Sequence, residues 1–400
     1  MKKLLLIAAT ALWFAGCSDR NEGIGGPKDG VAIAFSLDCG ALSASVGAAQ
    51  TGQPAQVAPI AQTAAQTALA TRAAVPIANG TTVRIVALHA GDALGSTPAA
   101  SATYYVTGEE TADGHKRAVL APCTVTNDAT GAVTAYSDDP TKVMRLKAGE
   151  YDFYAFSPAL PLKSDGKSVD VYHGMDFAAS ATAGVVVKSD GSTTYPDPMN
   201  AAPATKNGAI GSGAVELQTL ERKCSFIRFA VTRTDEAAAL VSSVSVDHLL
   251  LDKIAVSPVT STSIASDITP VADLRGSHTF ASTLFTYPDQ TNKPYELIGG
   301  DAVLPKASGA LEFSARLRFN DAVDSSGQPK WSDLGPVTLG AISFEKGIRY
   351  TYTLKLKGDA IIVILTVGPW NLADDLDLDF SGDELIPGIV VGEWTNVDWS

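Results

Sequence analysis

The 400-residue chain has no cluster of Lys and Arg, and its formal net charge is −13. That field repels a polyanion, so nucleic-acid binding is excluded. Methionine is scarce, at four residues, while Gly and Pro number 35 and 21. This balance favours turn-rich β structure over helical bundles. No HExxH, CxxC or GxSxG motif is present, and His89, His115, His173, His248 and His278 never fall at metal-ligand spacing. His173 alone has a carboxylate close by in sequence, Asp176, and one neighbour does not make a triad. Nothing singles out a pair of carboxylates for glycoside hydrolysis. The expectation is a non-enzyme with no catalytic residue, no metal and no cofactor. Beyond the first residues there is no run of eighteen apolar side chains, so no later segment is expected to span a bilayer as a helix. Cysteine is also rare. Cys39, Cys123 and Cys224 follow Cys17 at wide spacing, too few for a disulfide framework. They read as small buried side chains, with a Cys123–Cys224 disulfide as the alternative in an extracytoplasmic compartment.

With 46% hydrophobic residues, the chain can build a packed core, and its length suits two domains. Its N-terminus is a targeting segment. Lys2 and Lys3 precede a short apolar run, Leu4 to Phe14, and then Phe14-Ala15-Gly16-Cys17. The last four residues resemble the lipobox of bacterial lipoproteins, with Phe14 in place of the usual Leu. That resemblance implies removal of residues 1–16 and acylation of Cys17. An ordinary secretory signal with an unrelated cysteine is the alternative. Ser18-Asp19 and Glu22 are similar to the acidic surface-export tag of some Bacteroidales lipoproteins, interrupted here by Arg20.

A polar, Gly-rich tether at 18–30 leads into VAIAFSLD, residues 31–38. Val31, Ile33, Phe35 and Leu37 alternate with Ala32, Ala34, Ser36 and Asp38, so the period of two predicts a strand. Residues 41–74 hold thirteen Ala among Gln, Thr, Gly and Pro, and read as a linker without an apolar stripe. Beyond it the patterning is β. TVRIVAL (82–88), YDFYAF (151–156), CSFIRFAV (224–231), RYTYTLKL (349–356) and AIIVILTV (360–367) read as strands, with Gly358-Asp359 as a hairpin turn between the last two. In 349–356, Tyr350, Tyr352, Leu354 and Leu356 are expected to face a core, and Arg349, Thr351, Thr353 and Lys355 to face water. Residues 188–213 read as a loop. The physical expectation is two tandem antiparallel β-sandwich domains with a boundary near 240.

In ADDLDLDFSGDE (373–384), Asp375, Asp377 and Asp379 resemble the start of a calcium loop, but Phe380 stands where such a loop wants Gly. A strand with one acidic face is the better reading.

From Cys39 to Val83 the one charged side chain is Arg72. An arginine alone in an extended, uncharged linker is accessible to an arginine-specific protease. The alternative is that Arg72 merely precedes the first domain. Cutting after Arg72 would discard a well-patterned strand, which makes sense if residues 31–38 plug a groove in the precursor. Removal would then open a sheet edge over an exposed core, a site that a strand from another subunit can fill.

The lipobox, the leader ending in Thr71-Arg72-Ala73, the β-rich body, KAGEYDFYAFSP (147–158), and FEKGIRYTYTLKL (344–356) followed by ILTVGPW (364–370) together resemble the fimbrillin family. These are type V pilins and associated fimbrial proteins of Bacteroidales. The resemblance implies transthyretin-like sandwiches of Greek-key type, at 73–240 and 241–400. It implies a lipidated propeptide, 17–72, with Cys17 as the lipidation site and Arg72–Ala73 as the scissile bond. Val31, Ile33, Phe35 and Leu37 would be the anchors of the removed strand. The donor would lie near 385–400, where Ile389, Val391, Trp394 and Trp399 supply apolar anchors in a tail that carries no basic residue. Implied partners are identical or related fimbrial subunits, an arginine-specific protease, the outer membrane through the lipid, and host or bacterial surface ligands. The implied location is an outer-membrane lipoprotein precursor, then a cell-surface fimbrium. The competing reading is an uncleaved surface lipoprotein, either a fimbrial anchor or a glycan-binding protein using Tyr104, Tyr105 or Tyr195.

Overall fold

A computed structural model describes residues 29–39, 78–112, 115–196, 203–207, 215–233, 246–256, 260–269, 276–287, 297–319, 323–328, 330, 332–357, 360–369 and 386–393. The fold is all-β, as the patterning predicts. None of the described helices is long and apolar enough to cross a membrane.

In chain order the first strands are β1 (Val31–Ala32), β2 (Phe35–Asp38), β3 (Thr82–His89), β4 (Ala100–Ala112) and β5 (His115–Asn127). Then come β6 (Val133–Asp138), β7 (Arg145–Leu146), β8 (Gly149–Ser157), β9 (Ser168–Val171) and β10 (Ala178–Val187). The first half ends with β11 (Ser192–Pro196), β12 (Pro203–Asn207), β13 (Val215–Leu217) and β14 (Glu221–Arg222). The second half comprises β15 (Ser225–Arg233), β16 (Val246–Val256), β17 (Thr260–Ser263), β18 (Gly276–Phe280), β19 (Phe285–Thr286) and β20 (Leu297–Val303). It closes with β21 (Lys306–Phe319), β22 (Ser332–Phe344), β23 (Ile348–Lys357), β24 (Ala360–Pro369) and β25 (Ile386–Glu393).

One large sheet runs β12-β11-β10-β8-β3-β4-β5-β2-β13. In the second half, β19-β20-β15-β23-β24-β25 form one sheet and β18-β16-β21-β22 another. Sheet membership therefore changes between Arg222 and Ser225, because β15 pairs with β20 and β23 rather than with the earlier strands. The stretch 188–213, expected as a loop, contains the paired strands β11 and β12.

Central strands β3 and β8 feed two cores, and this explains the near-continuous burial of β3. Val83, Ile85 and Ala87, with Tyr151, Phe153 and Ala155, face the first core, where Ile33, Phe35 and Leu37 also lie. Val86 and Phe156 point the other way, into a second core completed by Cys224, Ile264, Ile268 and Leu304. That second core draws on both halves of the chain, and β9 pairs with β17 across them. Thr351 and Thr353, expected to face water, are buried. Their strand is interior, between β15 and β24, and both of its faces are covered there. Cys39, Cys123 and Cys224 are free thiols, the last two buried. Burial pushes the Cys224 thiol up to about 12 and the Cys123 thiol up to about 11.

Candidate functional site: the groove that holds residues 31–38

Residues 31–38 form two short strands rather than one, because the chain changes neighbours between Ala32 and Phe35. β1 pairs antiparallel with β7, with Val31 opposite Leu146 and Ala32 opposite Arg145. At the switch, the Ile33 amide donates to the Met144 carbonyl at 2.9 Å, and the Ala34 carbonyl accepts from the Val215 amide at 3.0 Å. β2 then lies between two partners. It runs antiparallel to β5, with Ser36, Leu37 and Asp38 opposite Val119, Ala118 and Arg117. On its other side it runs parallel to β13, with Phe35, Ser36 and Leu37 opposite Val215, Glu216 and Leu217. It is thus an inner strand, and its removal would expose the edges of both β5 and β13.

The inward face fills deep pockets. Ile33, Phe35 and Leu37 have no exposed surface. The Phe35 ring sits edge-on to Tyr104, with centroids 5.4 Å apart, and to Phe153, at 5.3 Å. Full burial of three such side chains contributes about 5–9 kcal/mol. Val31 packs against the same core, partly buried. Tyr104 is held in place by its hydroxyl oxygen, which accepts from the Met144 amide at 2.9 Å. Burial raises its phenol well above the ordinary tyrosine range.

The opposite face is covered as well. Ser36 and Asp38 are buried. Residues opposite one another in a ladder share a face, so Ser36, Asp38, Arg117 and Glu216 point the same way. There the Arg117 Nε lies 2.6 Å from the Glu216 Oε1, with side chains 5% and 1% exposed. Arg117 is on β5 and Glu216 on β13, so the ion pair passes across β2 on its Ser36 side. The Thr219 hydroxyl donates to the Asp38 carboxylate at 2.6 Å. Arg117, Glu216 and Thr219 were not singled out from the sequence. The visible signal was Glu216 set between Val215 and Leu217, a charge inside an apolar strand.

At the entry to the groove, Gly30 abuts β7. A Cβ built there would lie 2.9 Å from the Leu146 amide nitrogen. The Gly30 carbonyl accepts from the Arg145 guanidinium at 3.1 Å. Asp29 and Lys147 form an exposed pair at 3.2 Å, and the lysine holds the Asp29 carboxyl below its ordinary value.

Other expected site residues fall elsewhere. Cys17, Arg72, Ala73, Trp394 and Trp399 lie outside the described residues, as do the side chains of Ile389 and Val391. The backbone of β25 pairs antiparallel with β24, with Ile389 opposite Val363 and Val391 opposite Ile361. Tyr104 is no glycan contact, since it is buried beside Phe35. Tyr105 and Tyr195 lie in strands, not loops. The Tyr105 ring packs at a tilt against the exposed Tyr136, with centroids 4.8 Å apart. Asp176 is engaged by Arg222 at 3.0 Å, and His173 lies instead beside His278, whose ring meets Asp301 at 2.8 Å. Among the described residues, no three His, Cys, Asp or Glu side chains are grouped to hold a metal ion.

A family profile described as fimbrillin-like matches residues 44–373. No curated protein matches the chain. Solved structures with a similar arrangement include one described as a cell adhesion protein from Bacteroides fragilis, 19% identical, covering 85% of this chain and 97% of its own at a TM-score of 0.46. Another is described as a fimbrial assembly protein from Parabacteroides distasonis, 11% identical, with coverages of 90% and 98% and a TM-score of 0.36. The tip fimbrial protein Mfa3 from Porphyromonas gingivalis, C-terminally truncated, is 10% identical, with coverages of 73% and 95% and a TM-score of 0.33.

Proposed function

The chain belongs to the fimbrillin-like family, and on that premise we propose that it is a structural subunit of a cell-surface fimbria assembled by proteolysis-triggered strand exchange. In this reading the precursor is a lipoprotein acylated at Cys17 and exported to the outer membrane. An arginine-specific protease cuts between Arg72 and Ala73, and the segment carrying residues 31–38 leaves. A C-terminal segment of another copy takes its place. The work is mechanical, with no reaction and no cofactor. Subunits are joined by backbone ladders and by alternate side chains entering pockets.

The observation that supports this most is the position of β2. A strand encoded upstream of the lone arginine is an inner member of the large sheet and contributes Ile33, Phe35 and Leu37 to its core. A segment that could be cut away is therefore one the fold needs something to replace. Such a groove stays closed to other copies while the precursor is intact, since β2 occupies both edges.

Purified precursor, treated with an arginine-specific protease, tests the reading by electron microscopy and sedimentation. Wild type is expected to stay monomeric before cleavage and to form fibres after it, and Arg72→Ala to stay monomeric throughout. Fibres formed by intact precursor would refute the mechanism.

A further inference from the structure

The groove imposes a residue code on any strand that fills it. Inward positions take large apolar side chains, and the Phe35 place is shaped by Tyr104 and Phe153. The Ser36 place lies beneath the Arg117–Glu216 ion pair and admits a small residue. The Asp38 place lies opposite Arg117 and beside the Thr219 hydroxyl, and takes a carboxylate. Written along the chain, the code is apolar-x-apolar-x-Phe-Ser-x-Asp.

This pattern occurs twice in the sequence, at VAIAFSLD (31–38) and at LDLDFSGD (376–383). The other Phe-Ser pairs, Phe156-Ser157 and Phe313-Ser314, are followed by Pro-Ala and Ala-Arg. They also sit in β8 and β21, which are paired on both sides.

We infer that residues 376–383 of a second copy are the strand that refills the groove, in the register Leu376, Leu378, Phe380, Ser381 and Asp383 for Val31, Ile33, Phe35, Ser36 and Asp38. The inference rests on the strand-exchange reading above and names its donor and register. Phe380 enters the pocket between Tyr104 and Phe153, and Ser381 passes under the ion pair. Asp383 meets Thr219 on the Arg117 side. Asp377 takes the place of Ala32, which lies opposite Arg145 in the β1–β7 ladder, so the acidic face of the donor meets a cation there. Two positions are worse than in the resident strand. Gly382 forgoes the Leu37 anchor, and Asp379 replaces the buried Ala34. The donor thus binds more weakly than the strand it replaces, and exchange depends on prior loss of the propeptide. Residues 386–393 follow the donor and hold to their own sheet through the single β24–β25 ladder, at the sheet's end, so freeing the tail breaks one ladder.

The test uses the chain cut after Arg72 and freed of the leader, with fluorescent synthetic peptides read by anisotropy. Peptides spanning 29–39 and 374–384 are expected to bind, to displace each other and to block fibre growth, with 374–384 the weaker. A 386–396 peptide is expected not to compete. Within the 374–384 peptide, Phe380→Ala should weaken binding at least tenfold and Ser381→Leu should abolish it. Gly382→Leu should tighten binding about tenfold or more, and Asp379→Ala should tighten it too. If 29–39 binds while 374–384 does not, or if 386–396 displaces it, the donor assignment is overturned and the groove reading stands. Failure of even the 29–39 peptide to bind the cut chain would refute the removable strand, and the donor assignment with it.

Discussion

Phe35→Ala is the most informative single change in the precursor. The ring has no exposed surface and packs edge-on against both Tyr104 and Phe153. Truncating a phenylalanine in such a site costs about 3–5 kcal/mol, part of it the loss of two aromatic contacts at about 0.5–1.5 kcal/mol each. For a cooperative unit of 150–250 residues, that lowers its unfolding transition by roughly 6–20 °C. The assay is scanning calorimetry of intact precursor, beside the same protein cut after Arg72 and freed of the leader. Intact Phe35→Ala should melt well below intact wild type, whereas the two cut proteins, now identical in sequence, should coincide. Asp29→Asn serves as the control, since the Asp29–Lys147 pair is exposed and solvent-screened, and it should leave the transition in place. A Phe35→Ala precursor that melts within a degree or two of wild type would refute the claim that residues 31–38 complete the core.

Glu216→Ala removes one partner of a buried ion pair and leaves the Arg117 charge buried, so denaturant unfolding should show a loss of about 3–5 kcal/mol. Gly30→Ala places a Cβ against the Leu146 backbone, so it should displace β1 from β7 and raise amide exchange at Val31 and Ala32. In alkali the folded chain keeps the Cys224 proton up to about 12, whereas the unfolded chain releases it near 9. Stability conferred by the buried thiol is therefore complete below pH 9 and falls as the pH rises from 9 to about 12. Melting temperature measured across that range should decline, and less steeply in Cys224→Ala than in wild type.

The strands were legible where apolar residues alternate over a long run. β3, β8, β15 and β23 coincide with segments patterned at a period of two, and β24 with an almost wholly apolar run. Alternation tells which residues share a face, not what covers the other face. Thr351 and Thr353 read as water-facing in sequence, yet both are buried, as are the polar Ser36 and Asp38, because inner strands of packed sheets are covered twice. The break at Ile33–Ala34 was equally invisible, since it reflects a change of neighbours and not of pattern. The groove walls were the hardest to foresee. β13 is three residues long, and Glu216 meets Arg117 across 99 positions of chain, a partnership that exists only in the fold. The second Phe-Ser-x-Asp was in plain view at 380–383, but the aspartates around it read only as the acidic face of a strand until the contacts of β2 give the pattern a meaning.

The central claim is that a strand built into this fold is cut away at Arg72. It is tested most directly by the N-terminus of the protein recovered from the surface of its own cells, read by mass spectrometry. The account predicts a chain that begins at Ala73. A chain that begins at an acylated Cys17, with residues 18–72 still attached, would contradict it.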